Sequence, residues 1–296
     1  MDKLLCIGEV MLELSQVNEN SYKKSFAGDT FNVAHYAAIT GGEKIETEYL
    51  TAIGTDNESD ACFEFIAANN VGVRHIIRDE NRTIGLFLLS NDDEGEKKYN
   101  YWRSVAAAKY VFNQPRDLSG FNLINISGIT AAITIEKDNL IASLLQAKNK
   151  GAKIIYDFNY RPMLWSVEDA KKFALKILPL VDIAKISDEE LETLFPSQSL
   201  QGFSKEYPNA EWIFTCGGEK AEVWQSGDMI AQKIFEPITD IVDTSAAGDS
   251  FLGTYLSSYL MGFDAAQRLK RAHRIAVQVI AHKGSIVSID LTKLEI

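Results

Sequence analysis

Apolar residues recur along the chain in two alternating patterns. Runs at 4–7, 123–126, 153–156, 183–186 and 212–215 are apolar on nearly every position, as strands buried on both faces are, and the first ends at Gly8. Between them, residues 135–147, 167–178 and 188–195 space their apolar side chains three and four apart, the period of a helix that covers one face. Such alternation predicts an α/β fold, a parallel sheet with helices on both sides. No internal repeat of fixed period is present.

Two stretches break the pattern, 11–26 and 83–103. The second reads as strand, polar turn (Asn91-Asp92-Asp93-Glu94-Gly95) and strand. Together they predict either a small β appendage laid over the main domain or a pair of edge strands on the main sheet. Farther along, Ile241-Val242-Asp243 predicts the end of a strand. Thr244 to Asp249 then supplies small residues, and Phe251, Leu252, Tyr255, Leu256, Tyr259 and Leu260 form a helical stripe. Ala246, Ala247 and Gly248 carry no bulky side chain, so a tight turn there would leave backbone N–H groups at the helix start open to an anion.

Composition narrows the classes. The 296 residues, 46% hydrophobic and 24% charged, suit a folded chain with a large core, and 6 prolines and 19 glycines leave little room for a linker. A formal net charge of −11 opposes non-specific binding to nucleic acid or an anionic membrane. Cys6, Cys62 and Cys216, an odd and scattered set, suit reduced thiols in the cytoplasm better than a disulfide framework. Glu9 and Glu13 interrupt the N-terminal apolar stretch before it reaches signal-peptide length, and no run approaches a membrane span.

Asp249 stands at the predicted helix start, where the dipole and open amides would keep it ionised. There it can serve as a general base or simply cap the helix, and from its position alone capping is favoured. Gly28-Asp29-Thr30-Phe31-Asn32 precedes a helical run and, taken alone, also reads as a cap. Tyr99-Asn100-Tyr101-Trp102-Arg103 alternates aromatics as a strand does. Asp157-Phe158-Asn159-Tyr160-Arg161-Pro162 follows a strand at the edge where α/β sheets bind ligands. The arginine in each fits an anionic ligand or a surface ion pair. The chain has no G-x-x-x-x-G-K-[ST], G-x-G-x-x-G or H-E-x-x-H, and Gly248 to Gly253 misses the G-x-S-x-G elbow. His35, His75, His273 and His282 lack metal-ligand spacing.

Asp243-Thr244-Ser245-Ala246-Ala247-Gly248-Asp249-Ser250-Phe251 is similar to the D-T-x-G/A-A-G-D-x-F signature of the PfkB (ribokinase-like) carbohydrate kinases, and the likeness runs from Gly8-Glu9 to about Gly284. Gly28 to Asn32, Tyr101-Trp102-Arg103, Asn159 to Pro162 and Leu164-Trp165 look most like the bacterial 2-keto-3-deoxygluconate kinases. The resemblance implies a single ribokinase-like domain over 1–296, a three-layer α/β/α sandwich with a mostly parallel central sheet and a β-sheet lid formed from about 11–26 and 83–103. It implies Asp249 as base toward a sugar hydroxyl, with the amides of Ala246, Ala247 and Gly248 holding the transferred phosphoryl. Gly28, Asp29, Asn32, Phe87, Tyr101, Arg103, Asn159 and Arg161 would form the sugar-acid pocket. ATP would lie along Ser187, Thr215, Gly217 and Gly218 and near His273, with Mg²⁺ held through water near Glu190. Asp243 and Ser245 would border a site for a monovalent cation such as K⁺, and the lid edges would offer a face for homo-oligomers.

Four positions depart from the family pattern. Ser187 replaces the Asn of N-x-x-E, Lys220 replaces the last glycine of T-x-G-x-x-G, Phe87 stands where relatives can carry Tyr, and Ala246 takes the first position of G-A-G-D. Within the class the competing expectation is a fructokinase or ribokinase acting on a neutral sugar. Outside it is a ligand-binding relative that lost catalysis.

Overall fold

The computed structural model describes residues 1–91, 97–238 and 240–294. Its strands are β1 (Asp2–Ile7), β2 (Met11–Asn18), β3 (Ser21–Ala27), β4 (Ile45–Leu50), β5 (Ala52–Ile53), β6 (Ile77–Arg78), β7 (Gly85–Asn91), β8 (Lys97–Trp102), β9 (Leu123–Ser127), β10 (Lys153–Asp157), β11 (Val181–Ser187), β12 (Glu211–Cys216), β13 (Lys220–Gln225) and β14 (Asp228–Ile234). The helices are α1 (Asp29–Gly41), α2 (Asn57–Ala68), α3 (Gly128–Ile133), α4 (Lys137–Asn149), α5 (Val167–Ile177), α6 (Asp188–Leu194), α7 (Leu200–Glu206), α8 (Ala247–Leu260) and α9 (Ala265–Ile280).

All five apolar runs are neighbours in one eight-stranded sheet of order β14-β13-β12-β11-β10-β9-β1-β4. The sheet is parallel except for β13 and β14, which fold back as antiparallel strands at one edge. Period-two alternation divides each central strand between two cores. Leu5, Ile7, Ile124, Ile126 and Ile154 pack with Leu140, Leu144, Phe173 and Ile177 of α4 and α5. Leu4, Cys6, Leu123, Ile155 and Ile183 face the other way, against Phe31 and Val33 of α1 and Leu252, Tyr255 and Leu256 of α8. The result is the expected three-layer α/β/α sandwich. Burying each such Leu or Ile fully is worth roughly 1.5–3 kcal/mol, so both faces of the sheet contribute to stability.

Stretches 11–26 and 83–103 supply a separate four-stranded sheet, β3-β2-β7-β8, with no strand shared with the main one. Met11, Ala27 and Phe87 form a small buried cluster on one of its faces. Of the predicted polar turn, residues 92–95 lie outside the described residues.

One predicted strand end is corrected. Residues 241–243 carry no strand, and the amides of Val242 and Asp243 both donate to Ile280 O at the end of α9, at 2.8 and 3.1 Å. The antiparallel pair β13–β14 occupies that edge of the sheet, and Ile241 and Val242 are exposed at 54% and 63%. The edge strands β4 and β14, and β13 beside β14, lacked the long apolar run of the central strands. Among the described residues no helix is long and apolar enough to cross a membrane.

Candidate active site

The N-terminal turns of α1 and α8 meet. Helices α1 and α8 are buried over most of their length, and they approach closely because a Cβ on Gly253 would fall 2.4 Å from Val33 O. This packing brings Asn32 beside Asp249, and Asn32 Nδ2 donates to Asp249 Oδ2 at 2.8 Å. The remaining oxygen of Asn32, Oδ1, is buried without a hydrogen-bond partner among the described residues. Gly28 is extended, and a Cβ there would lie 2.1 Å from Glu9 O, so only glycine lets the chain enter α1 at this point.

Neither aspartate is a cap. The N-caps are Gly28 and Ala246, without side-chain cap bonds, and Asp29 and Asp249 sit in the first turns of their helices. Asp29 Oδ2 instead accepts from Asn159 Nδ2 at 2.9 Å. Ala246 has φ 59° and ψ 12°, the left-handed conformation that explains the glycine usual in related signatures. Ala246→Gly is therefore expected to stabilise the fold by about 0.5–1 kcal/mol, the relieved strain less the added unfolded-state entropy, measurable as a higher Tm by calorimetry. The Ala247 amide makes a turn bond to Thr244 O at 3.2 Å. Gly248 and Asp249 precede any acceptor four residues back within the helix, so their amides are the ones left for an anion.

The expectation that the helix start keeps Asp249 ionised is overturned. Burial, followed by the charge of Asp29, raises its pKa from 3.8 to about 7, although the Asn32 bond and Lys185 oppose the shift. A carboxylate packed among other acids gains less from the dipole than it loses in hydration.

A cavity of about 400 Å³ lies over this point, lined by Tyr99, Asp157, Asn159, Arg161, Lys185, Ser187, Glu190, Thr215 and residues 244–249. Its floor is the carboxyl edge of the sheet. Lys185 on β11 donates to both oxygens of Asp157 on β10, at 2.9 and 3.0 Å, and both are buried. Burial pushes the Asp157 carboxyl up and would by itself lower Lys185. The charges of Asp157 and Glu190 more than offset that loss, so Lys185 shifts upward and stays charged. Two bonds accepted from one ammonium mark Asp157 as the carboxylate partner. Lys185 was not singled out from the sequence, because a lysine inside an apolar strand gives no pattern.

Ser187 and Glu190 form a capping box on α6: Ser187 Oγ accepts from Glu190 N at 3.1 Å and Glu190 Oε2 from Ser187 N at 2.9 Å. Glu190 Oε1 also accepts from Tyr160 N at 2.8 Å. Among the described residues there is no group of three His, Cys, Asp or Glu that could hold a metal ion. With both oxygens already accepting backbone N–H groups, Glu190 fits an outer role, through water, toward a hydrated Mg²⁺ rather than direct ligation.

The small sheet contributes Tyr99 to this cavity, while Phe87 and Tyr101 are not among its lining residues. Phe87 on β7 pairs with Tyr101 on β8, and Tyr99 stacks on Tyr101 with centroids 6.2 Å apart. Burial raises the Tyr101 pKa, while the charges of Arg103 and Arg161 lower it. Their surroundings differ. Arg161 is exposed, donates to Tyr160 O at 3.4 Å and lines the 400 Å³ cavity. Arg103 is bound to buried Glu9 and lines a neighbouring cavity instead. Tyr99 and Glu9 are contacts missed in the sequence. Tyr99 also lines a cavity of about 310 Å³ beneath the small sheet, together with Glu13, Phe87, Asp243 and Ser245. Asp243 accepts from Ser245 N at 2.8 Å and Gly284 N at 3.1 Å, tying two loops together.

Thr215 reaches the cavity floor, whereas Gly217, Gly218 and His273 lie outside it. Gly217 turns with φ 46° between β12 and β13. His273 stacks face to face on Phe235 at 4.0 Å, and the Phe235 amide donates to Glu219 O at 2.8 Å, so the histidine does reach the 217–219 turn, through a residue that the sequence had not marked.

Residues 1–292 match the model of the pfkB family of carbohydrate kinases. The chain is 33% identical to the 2-dehydro-3-deoxygluconokinase of Haemophilus influenzae over 97% of its own length and 96% of that protein. Among solved structures, the 2-dehydro-3-deoxygluconokinase of Thermotoga maritima superposes with a TM-score of 0.84 at 23% identity, covering 99% of this chain and 98% of the other. A putative ribokinase II of E. coli in complex with ATP and Mg²⁺ superposes with a TM-score of 0.83 at 18% identity, covering 99% and 98%.

Proposed function

The chain belongs to the pfkB family of carbohydrate kinases and is an ATP-dependent carbohydrate kinase, and on that premise we propose that it phosphorylates 2-dehydro-3-deoxygluconate (2-keto-3-deoxygluconate) on its primary hydroxyl, with Asp249 as base. The observation that carries the base is the buried Asp249 carboxyl, shifted to about 7 at the α8 N-terminus and held by Asn32. The relationship to 2-dehydro-3-deoxygluconokinases supports the substrate, as does Arg161, which lines the cavity.

The sugar lies between α1 and the small sheet, which serves as its lid. Gly28, Asp29, Asn32 and Asn159 meet its hydroxyls, and the buried Asn32 Oδ1 gains a donor there. Arg161 receives the carboxylate, Tyr101 and Phe87 form the apolar wall, and Arg103 holds Tyr101 from behind with its guanidinium 5.7 Å from the ring centre. Asp249 draws the proton from the hydroxyl, and the Gly248 amide with its neighbours holds charge on the phosphoryl group. Thr215, the 217–218 turn and His273 on Phe235 accommodate the nucleotide, and Asp243 and Ser245 would border a site for a monovalent cation. Mg²⁺ bound to ATP would offset phosphate charge, with Glu190 reaching it through water.

Release of ADP, measured with a panel of sugar acids and neutral sugars, tests the substrate. 2-Keto-3-deoxygluconate should give the highest kcat/KM, and a preference for fructose or ribose would reject the acid while leaving the kinase. Because the base must be unprotonated, kcat/KM should rise with pH through about 7, following Asp249 of the free enzyme. An activity independent of pH from 5 to 8 would remove Asp249 from that role.

A further inference from the structure

The pair Asp157–Lys185 has no part in the chemistry described so far. A buried ion pair adds little net stability, because desolvation offsets most of the attraction, and two apolar residues would serve the sheet as well. Its placement suggests another use. Both members line the cavity shared with residues 244–249. A Cβ on Gly248 would come within 3.6 Å of Lys185 Nζ, so any side chain at 248 would cover the ammonium on its α8 side.

Donor count and charge point the same way. An ammonium has three N–H groups, Asp157 takes two, and one is left. The charges that act across this floor are those of Asp29, Asp157, Glu190 and Asp249, with Lys185 the cation buried among them and Arg161 on the exposed side. A polyphosphate entering among these carboxylates is repelled by each of them, and a buried ammonium beside the α8 amides opposes that repulsion.

We propose that Lys185 is a catalytic residue: held by Asp157, its ammonium hydrogen-bonds a non-bridging oxygen of the phosphoryl group as it passes from ATP to the sugar. Asp157 is the positioning residue. The sugar O–H bond breaks and its proton goes to Asp249, a bond forms from the sugar oxygen to the γ-phosphorus, and the bond from that phosphorus to the β–γ bridging oxygen breaks with its electron pair leaving on ADP. Lys185 keeps all its protons throughout. This inference rests on transfer taking place at the α8 N-terminus.

The test compares Lys185→Met, Lys185→Arg and the double variant Lys185→Met/Asp157→Leu with the full-length wild type. Steady-state kinetics would be combined with binding of MgADP alone and of MgADP with aluminium fluoride in the presence of 2-keto-3-deoxygluconate. Lys185→Met should lower kcat by about 10²–10³, the usual loss for one donor to developing charge. It should weaken the aluminium fluoride complex by a similar factor and change MgADP affinity by no more than about threefold. Arginine should recover a tenth or more of the wild-type rate. The double variant, which removes both charges, should regain stability without regaining kcat, and it carries the test if Lys185→Met folds poorly. A wild-type kcat in a folded Lys185→Met or in the double variant, or equal weakening of both complexes, would overturn the role of Lys185. If Asp249→Asn is inactive in the same assay, such a result leaves the site itself standing; an active Asp249→Asn would instead reject the site.

Discussion

Asp249→Asn is expected to lower kcat by about 10² or more while leaving sugar binding and the fold intact, because an amide of the same shape keeps the contact with Asn32 but cannot take the hydroxyl proton. The same substitution should stabilise the protein at alkaline pH. The folded-state pKa of about 7 stands above the ordinary 3.8, so the wild type loses stability as pH rises between these values and the folded state is forced to ionise a buried group. The variant has no such group. Its Tm should exceed that of the wild type at pH 8, by an amount equivalent to about 1–4 kcal/mol, and the difference should vanish as pH falls toward 4. Calorimetry across pH together with single-turnover kinetics would check both halves. A Tm difference that is the same at pH 4 and pH 8 would mean that the carboxyl is not strained by burial.

The second large effect concerns the two arginines, which the sequence treated alike and the structure separates. Arg161→Ala should reduce kcat/KM for 2-keto-3-deoxygluconate by about ten- to a hundredfold, since one hydrogen bond to a charged group is worth roughly 1.5–3 kcal/mol. It should spare slow neutral substrates and leave Tm nearly unchanged, because Arg161 is exposed and its hydrogen bond among the described residues is a long one to Tyr160 O. Arg103→Ala should behave differently. Glu9 is buried with a side-chain exposure of 1%, and losing its partner leaves an uncompensated charge, a loss on the order of 3–5 kcal/mol that should appear as a lowered Tm with any substrate or none. Burial already pushes the Glu9 carboxyl up, against the pull of Arg103, so acid pH should partly rescue the variant by protonating it. Glu9 pairs with Arg103, and Arg161 is the arginine that lines the cavity. Equal losses on acid and neutral substrates in Arg161→Ala would show that it shapes the pocket instead.

Much of this was legible in the chain. Central strands of a parallel sheet are buried on both faces and need unbroken apolar runs, which is why β1, β9, β10, β11 and β12 fall within a residue or two of their expected bounds. Helices α4, α5 and α6 likewise follow from their period, and the small residues before α8 marked its N-terminus because a tight turn with open amides excludes bulk. Where one element's role depends on another far away in sequence, the pattern was silent. Residues 241–243 look like a strand but bind the end of α9, since a short apolar run does not tell which partner satisfies its amides. Asp29 and Asp249 look like caps, yet Gly28 and Ala246 hold those positions and both carboxylates turn to asparagines 130 and 217 residues away. Sequence by itself determined the layers, the parallel core of the sheet and the small-residue turn before α8, because those follow from local periodicity and side-chain size. Only the tertiary structure decided that Asp249 is held near neutrality, that Lys185 is paired beneath Gly248 and that Arg103 answers Glu9, because charge strength and pairing depend on burial and distance, which no local pattern contains.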